Sequence, residues 1–168
     1  VPKQAVGASL VYFDLFVAAS AQWRLELLSV VPIVSGAVAV TGTLAVDLFL
    51  TRTTAVGTGG TAATSGGTSL TAAMFSPHDW EGQMPGEITA RLTPSGGATA
   101  GNVLAFRSLF TEETADAAYT QPIEMVRQFA PDLPGIQIAP GTGVRVVQGA
   151  VASVGNIGFD VLFKMYSR

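Results

Sequence analysis

The stretch that decides the fold is GIQIAPGTGVRVVQGAVASVGNIGFDVLFKMY, residues 135–166. It contains three extended runs, GIQIAP, GVRVVQGAVAS and IGFDVLFKMY, which are divided by the turn residues PGTG and GN. In the last run Phe159, Val161, Phe163 and Met165 fall on one face, and Asp160, Lys164 and Tyr166 fall on the other. Alternation with period two is typical of a strand that is buried on one side. The stretch therefore predicts sheet structure and contains very few reactive groups.

The same alternation recurs upstream, in SLVYFDLFVAAS (residues 9–20), TLAVDLFLTRTT (43–54), EITARLTP (87–94) and VLAFRSLF (103–110). The predicted inner faces of the first two are Val11, Phe13, Leu15 and Val17, and Leu44, Val46, Leu48 and Leu50. Residues 22–34, QWRLELLSVVPIV, permit a helix, but Val-Val-Pro-Ile-Val favours a strand that bends at Pro32. A short helix capped at Thr111 and running through Ala118 is the one helical prediction.

Eight to ten short strands with this spacing predict an all-β fold, a β-sandwich, with a jelly-roll as the leading topology. The expected organisation is an extended N-terminal arm, residues 1–8, followed by a single β-sandwich domain, residues 9–168. A long Gly/Thr-rich loop, AVGTGGTAATSGGTS at residues 55–69, interrupts the sandwich. Because both segments offer few side chains for packing, we expect them to lack internal anchors and to act as contact arms.

Charge is unusually sparse in this chain. Charged residues make up 12%, about half the roughly 25% that is usual in soluble domains, and the mean hydropathy is +0.43. Such a composition indicates either an apolar surface that other subunits bury or a membrane protein. The twenty uncharged residues 27–46 are long enough to span a bilayer, but Ser, Pro, Gly and Thr interrupt them. We therefore expect strands and turns there, with no membrane partner. We also expect no secretion signal, because the N-terminal VPKQAVGAS lacks a charged region followed by a long apolar one.

Several classes of function are excluded or disfavoured by composition. The chain has no cysteine, which excludes disulfides and thiolate chemistry, and its one histidine excludes sites that need two imidazoles. The net charge of −3, and nine basic residues that are scattered singly, argue against a nucleic-acid partner.

The stretch SPHDWEG, residues 76–82, is the one cluster with catalytic potential. His78, Asp79 and Glu81 have side chains that bind metals, and His78 is a candidate general base. We interpret the stretch instead as an exposed turn around Trp80, because Pro77 and Gly82 flank it. The chain has no G-x-S-x-G motif, the turn that presents the nucleophilic serine of hydrolases. The glycine-rich GTGGTAATSGG has no lysine after its glycines, which a phosphate-binding loop would need. The spacing of the twelve acids leaves a carboxylate pair open without indicating one. We expect no enzyme activity, no catalytic, cofactor-binding or metal residues, no cofactor and no small-molecule substrate.

Three runs together resemble the accessory virion proteins of tailed bacteriophages: TLAVDLFLTRTTAVGTGGTAATSGGTS, GEITARLTP and LPGIQIAPGTGVRVVQGAVASVGNIGFDVLFK. The resemblance covers residues 43–168 and rests on pattern, since it includes no diagnostic motif; residues before 43 fit it less well. It implies a capsid decoration or cement protein on the outer shell of the virion. Such a protein stabilises the shell by binding the major capsid protein and copies of itself, as a dimer or trimer, and the family has no catalytic residues to transfer.

Three alternatives stay open at the level of sequence. The virion role extends to a tail, fibre or head-closure component. A carbohydrate- or cell-surface-binding sandwich module would need exposed aromatic residues, and Trp23 and Trp80 are far apart in the chain. A small hydrolase or metal enzyme would be built around His78.

Overall fold

The computed structural model describes residues 1, 4–35, 44–62, 64–65, 74–75, 85–96, 100–111, 124–126, 134–151 and 155–167. These residues form strands and no helix. The strands are β1 (Gln4–Ala5), β2 (Val11–Val17), β3 (Trp23–Ser35), β4 (Leu44–Thr53), β5 (Thr61–Ala62), β6 (Thr64–Ser65), β7 (Met74–Phe75), β8 (Ile88–Leu92), β9 (Ala100–Thr111), β10 (Ile136–Ile138), β11 (Thr142–Gln148) and β12 (Asn156–Ser167). The prediction of an all-β fold is confirmed for the described part of the chain.

The strands form two antiparallel sheets and one small pair. The four-stranded sheet has the order β1-β12-β3-β10, and the six-stranded sheet has the order β5-β8-β2-β11-β4-β9. β6 and β7 form a separate parallel pair. Two antiparallel sheets that share a core are consistent with the predicted β-sandwich. The three runs of residues 135–166 contain β10, β11 and β12, so the prediction of sheet structure there is confirmed, although β11 ends at Gln148, before the end of the predicted run.

The pairing between strands is nested along the chain. β4 pairs with β9, β3 with β10, β2 with β11 and β1 with β12, and every pair is antiparallel. Two further ladders, β12 with β3 and β11 with β4, complete the sheets. β5 and β8 lie in the connection between β4 and β9 and extend the six-stranded sheet beyond β2.

The core lies between the two sheets. Phe159 of β12 meets the rings of Tyr12 and Phe13 of β2, at centroid distances of 5.2 and 5.7 Å. Among the described strands, the apolar side chains that are at most 2% exposed come from both sheets: Tyr12, Leu15, Val17, Leu25, Leu27, Val30, Val46, Leu48, Leu50, Ile138, Val144, Val146, Ile157 and Phe159. Burying each large apolar side chain contributes about 1.5–3 kcal/mol, so this shared layer is the main stabilising contact between the sheets.

A β-bulge changes the predicted face of β2. Opposite β11, Phe13 pairs with Val146 and Val11 pairs with Val147, so Tyr12 is the extra residue. A bulge places two successive side chains on one side of a sheet, and both Tyr12 and Phe13 contact Phe159. The prediction that Val11 shares the inner face with Phe13 is therefore wrong, because Val11 lies on the outer face. Phe13, Leu15 and Val17 are buried as predicted.

Residues 23–35 form one strand, which confirms the strand alternative over the helix. Pro32 lies opposite Phe159, whose backbone N–H donates to the carbonyl of Val1 and not to β3. The backbone of Pro32 therefore faces away from β12. β10 pairs only with Leu25, Glu26 and Leu27, so the proline ring replaces no ladder hydrogen bond with either strand.

The N-terminal segment is anchored to the sandwich. The amino group of Val1 donates to Phe159 O at 2.7 Å, and β1 pairs with the start of β12. The N–H of Gly7 donates to Gln148 Oε1 at 3.0 Å. The expectation that residues 1–8 lack internal anchors is therefore wrong for the residues that the structure describes.

The start of the Gly/Thr-rich segment is anchored as well. Gly57 N donates to Asp14 Oδ2, and Thr58 exchanges backbone hydrogen bonds with residues 95–96. Residues 58–62 are nonetheless exposed, as predicted for this loop. The expected lack of internal anchors is thus wrong at Gly57 and Thr58, and most of residues 63–69 lies outside the described residues.

Two further sequence predictions, the helix that begins at Thr111 and the absence of a membrane span, concern segments that the structure describes only in part. Thr111, the predicted cap of a helix, is the last residue of β9, and residues 112–123 are outside the described part. Within the described ranges, no helix is long and apolar enough to cross a membrane.

Candidate functional site

The cluster that the sequence singled out, His78 with Asp79 and Glu81, lies outside the described residues. Among the residues that are described, no three His, Asp or Glu side chains come close enough to hold a metal ion. The features that stand out are instead on the outer face of the six-stranded sheet, the face that points away from the core. This face has a row of charged residues beside a stripe of apolar ones.

The charged row crosses four strands of that sheet. Asp14 of β2 lies directly opposite Arg91 of β8 on one side and Arg145 of β11 on the other. Arg145 in turn lies opposite Thr51 of β4, and its Nε donates to Thr51 Oγ1 at 3.3 Å. Directly opposed residues share one face of a sheet, so one carboxylate lies between two guanidinium groups.

Asp14 is almost completely buried although it faces outward, with a relative exposure of 1%. Gly57 covers it, and the N–H of Gly57 donates to Asp14 Oδ2 at 2.5 Å. Burial raises the pKa of Asp14, and the Gly57 N–H, Arg145 and Arg91 partly offset that effect. Asp14 Oδ1, Arg91 Nε and Thr53 Oγ1 are buried without a hydrogen-bond partner among the described residues. Each such atom costs about 1–3 kcal/mol of folding free energy, so the two that belong to the row, Asp14 Oδ1 and Arg91 Nε, destabilise the fold.

The geometry around Asp14 fits an anchor and does not fit a catalyst. A Cβ on Gly57 would lie 2.6 Å from Asp14 Oδ2 and 2.9 Å from Pro94 Cβ, so the loop is packed tightly on the carboxylate. A group with 1% exposure has no room to meet a substrate. The carboxylate instead holds residues 56–58 against the sheet.

We define the apolar stripe as Val11, Val147, Phe49 and Phe106, one residue from each of β2, β11, β4 and β9. Each is directly opposite the next: Val11 to Val147, Val147 to Phe49, and Phe49 to Phe106. The rings of Phe49 and Phe106 are 5.0 Å apart. Phe106 is 45% exposed, and Val103 beside it on β9 is 56% exposed. Val11, Val147 and Phe49 are half-buried, so the stripe is a continuous apolar row whose solvent-exposed part is its end on the edge strand β9.

A second polar cluster lies on the outer face of the four-stranded sheet. Glu26 Oε2 accepts from Tyr166 Oη at 2.5 Å, and Glu26 Oε1 accepts from Gly135 N at 2.6 Å. The Tyr166 hydrogen bond is the main cause that lowers the pKa of Glu26, followed by the Gly135 N–H. The Arg24 guanidinium lies 5.5 Å from the centre of the Tyr166 ring. Because the ring and its hydroxyl both have partners within the chain, the cluster is a poor platform for a sugar.

The period-two alternation predicted neither the charged row nor the apolar stripe of the six-stranded sheet, and it placed Val11 on the inner face. The available signal was Phe49, which is out of phase with Leu48 and Leu50 in its own strand.

The chain matches no protein-family profile, no curated protein and no solved structure.

Proposed function

We propose that this chain is a structural virion protein, a capsid decoration or cement protein that binds the outer shell and stabilises it through subunit contacts. The observation that carries the proposal is the apolar stripe, which is exposed at Phe106 and the flanking Val103, on a chain whose charge is unusually sparse. Monomeric proteins seldom expose large contiguous apolar patches, and such patches mark sites of protein association. Because residues 43–168 resemble accessory virion proteins, we propose that the association takes place on a virus particle.

A jelly-roll topology is part of the same proposal. In a jelly roll, eight strands pair first with last in nested order and close into two four-stranded sheets. The ladders β1–β12, β2–β11, β3–β10 and β4–β9 have this nesting. The orders β1-β12-β3-β10 and β2-β11-β4-β9 then form the two sheets, with β5 and β8 as an addition at one edge. This order supports a jelly roll, an architecture that viral capsid proteins and lectins share.

The partners in this proposal are the major capsid protein and further copies of the chain, at the surface of the virion. Neither nucleic acid nor a small molecule has a role in it, and the function is not enzymatic. Asp14 is buried, and the Tyr166 ring already contacts Arg24. Both observations favour a binding scaffold over a catalytic or sugar-binding surface. Many modest interfaces on one particle add up through multivalency, so weak single contacts are sufficient.

The test is association with particles. Particles released by the organism that encodes the chain are purified on a gradient, the chain is quantified by mass spectrometry, and immunogold labelling locates it. We expect many copies per particle on the outer shell. Adding the purified chain to particles that lack it should raise the temperature at which they release their nucleic acid. Absence of the chain from purified particles would refute the proposal.

A further inference from the structure

We propose that the apolar stripe is the interface at which two copies of this chain pack face to face, about a two-fold axis that runs along the stripe. The inference rests on the proposed function, because it names the surface through which the building block meets its own copy. It concerns Val11, Val147, Phe49 and Phe106, together with the flanking Val103.

The shape of the stripe over β11, β4 and β9 suits the face of a second sheet, whereas the segment 56–58 packs on Asp14 at the β2 end of the same face. Its four residues occupy one straight row across four adjacent strands, and the row ends in the exposed ring of Phe106. Two sheets that stack face to face lie about 10 Å apart and interdigitate such side chains. Aromatic residues are enriched at protein interfaces, and Phe106 offers an exposed ring that a second copy would bury.

The charges beside the stripe point to a second copy of the same chain. Asp47, which accepts from Ser108 Oγ, lies on β4 one step to one side of Phe49. Arg145 and Thr51 lie one step to the other side, directly opposite each other. A two-fold axis along the stripe therefore sets Asp47 of one copy against Thr51 of the second copy and beside its Arg145. A surface that is complementary to itself in this way forms an isologous dimer.

The same charges select the direction of the axis. A two-fold axis parallel to the strands and lying over β4 would bring Asp47 against Asp47 of the second copy, and opposed like charges are unfavourable. A parallel axis between β11 and β4 would set Asp47 opposite Gly149 of the second copy, which offers it no opposite charge. An axis along the stripe avoids both arrangements. It also makes each residue of the stripe face its own counterpart, Val147 to Val147 and Phe106 to Phe106, which leaves no polar group opposite an apolar one along the row.

The alternative of pairing β9 edge to edge is opposed by Arg107. Gly149 N donates to Asp47 O, so the backbone N–H and C=O of Asp47 point toward β11. Backbone groups two residues apart in a strand point the same way, so those of Phe49 also point toward β11. Phe106, opposite Phe49, therefore points its backbone groups to the open edge. Arg107 covers that carbonyl, since its Nη1 donates to Phe106 O at 2.8 Å while its Nε donates to Glu124 O. A charged side chain on an edge strand protects it from pairing.

The first experiment measures the solution mass of the full chain by light scattering behind a sizing column. We expect twice the chain mass of 17.3 kDa for the wild type. Phe106→Glu should weaken the dimer by about 30-fold or more, because it places a charge where each copy buries an aromatic ring. Leu162→Glu is the matched control, because Leu162 is 48% exposed on the other sheet and should leave the dimer intact. Circular dichroism checks folding, and Phe106→Ser replaces the glutamate variant if that variant is unfolded.

The second experiment tests the axis by cross-linking, which the absence of cysteine in this chain makes clean. Val147→Cys places one thiol on the axis in each copy, so a bis-maleimide with a reach of about 10 Å should join the two copies. Leu162→Cys should not cross-link. Asp47→Asn should weaken the dimer when the axis follows the stripe, and it should strengthen the dimer when the axis is parallel to the strands and lies over β4.

A monomeric wild type, a dimer that Phe106→Glu leaves intact, or a dimer that Leu162→Glu breaks would overturn the inference. So would cross-linking at Leu162→Cys in place of Val147→Cys, or a tighter dimer in Asp47→Asn. These outcomes are separate from those of the particle test. A chain that binds particles as a monomer refutes the interface and leaves the proposed function standing, whereas a dimer that is absent from particles does the reverse.

Discussion

Replacing Phe159 with alanine should lower the free energy of unfolding by about 4 kcal/mol, within the roughly 3–5 kcal/mol that buried Phe→Ala substitutions cost. Phe159 is 1% exposed and lies in the four-stranded sheet, yet its ring packs on Tyr12 and Phe13 of the six-stranded sheet. The substitution therefore opens a cavity between the sheets and removes two ring contacts. For a chain of this length each kcal/mol corresponds to roughly 2–4 °C, so the variant should melt roughly 10 °C below the wild type.

The assay is urea unfolding followed by tryptophan fluorescence and, independently, by circular dichroism. Leu162→Ala is the control, since Leu162 is in the same strand but faces solvent, and it should change the free energy of unfolding by no more than about 0.5 kcal/mol. A double-mutant cycle that combines Tyr12→Leu with Phe159→Leu should give a coupling of about 0.5–1.5 kcal/mol, the value of an aromatic pair.

A loss of less than about 1 kcal/mol in Phe159→Ala, the cost of an average substitution, would contradict the burial of Phe159 between the sheets. Equal losses in Phe159→Ala and Leu162→Ala would contradict it as well. Either result would mean that the two sheets do not pack on each other through Phe159, and the shared core would have to be abandoned.

Three other substitutions test separate parts of the fold. Tyr12→Phe removes the 2.7 Å hydrogen bond from the hydroxyl to Gln148 Oε1 and should cost about 1 kcal/mol in urea unfolding; no loss would argue against that buried bond. Gly143→Ala should cost about 2 kcal/mol or more, because its Cβ would lie 2.5 Å from Leu15 O, whereas Gly86→Ala, with no atom within 4 Å, should cost little; equal melting temperatures would contradict the close approach of β2 and β11. Asp14→Asn should reduce the pH dependence of stability. Because the folded state raises the pKa of Asp14, it binds the proton more tightly than the unfolded state does, so the wild type should lose stability relative to the variant as the pH rises from about 4 toward neutrality. Parallel curves for the two proteins would refute the burial of Asp14.

Local alternation was sufficient to predict the strand content and most of the core. Val46, Leu48 and Leu50 in β4, and Phe159 in β12, are buried as their period-two spacing predicts. Gly141, in the predicted PGTG turn, has a φ of 78°, in the left-handed region where glycine is favoured. Such features depend on the residue itself and its near neighbours, and a single sequence contains that information.

The inner face of β2 shows where this reasoning stops. Alternation assigns Val11 to the core, but the extra residue Tyr12 shifts the register, because its ring and its hydroxyl find partners in Phe159 and Gln148. Those partners are more than 130 residues away in the chain. A bulge is set by contacts across the sheet, and no local pattern records them.

The sequence by itself determined that this chain forms sheets, that its interior is aliphatic and aromatic, and that its surface has few charges. Only the tertiary structure decided which strands are neighbours, and therefore what the outer face presents. Pairing β2, β11, β4 and β9 side by side aligned Val11, Val147, Phe49 and Phe106 into one stripe and enclosed Asp14 between two arginines. The physical reason is that alternation acts along a strand, whereas register and neighbours depend on hydrogen bonds and packing between segments far apart in the chain.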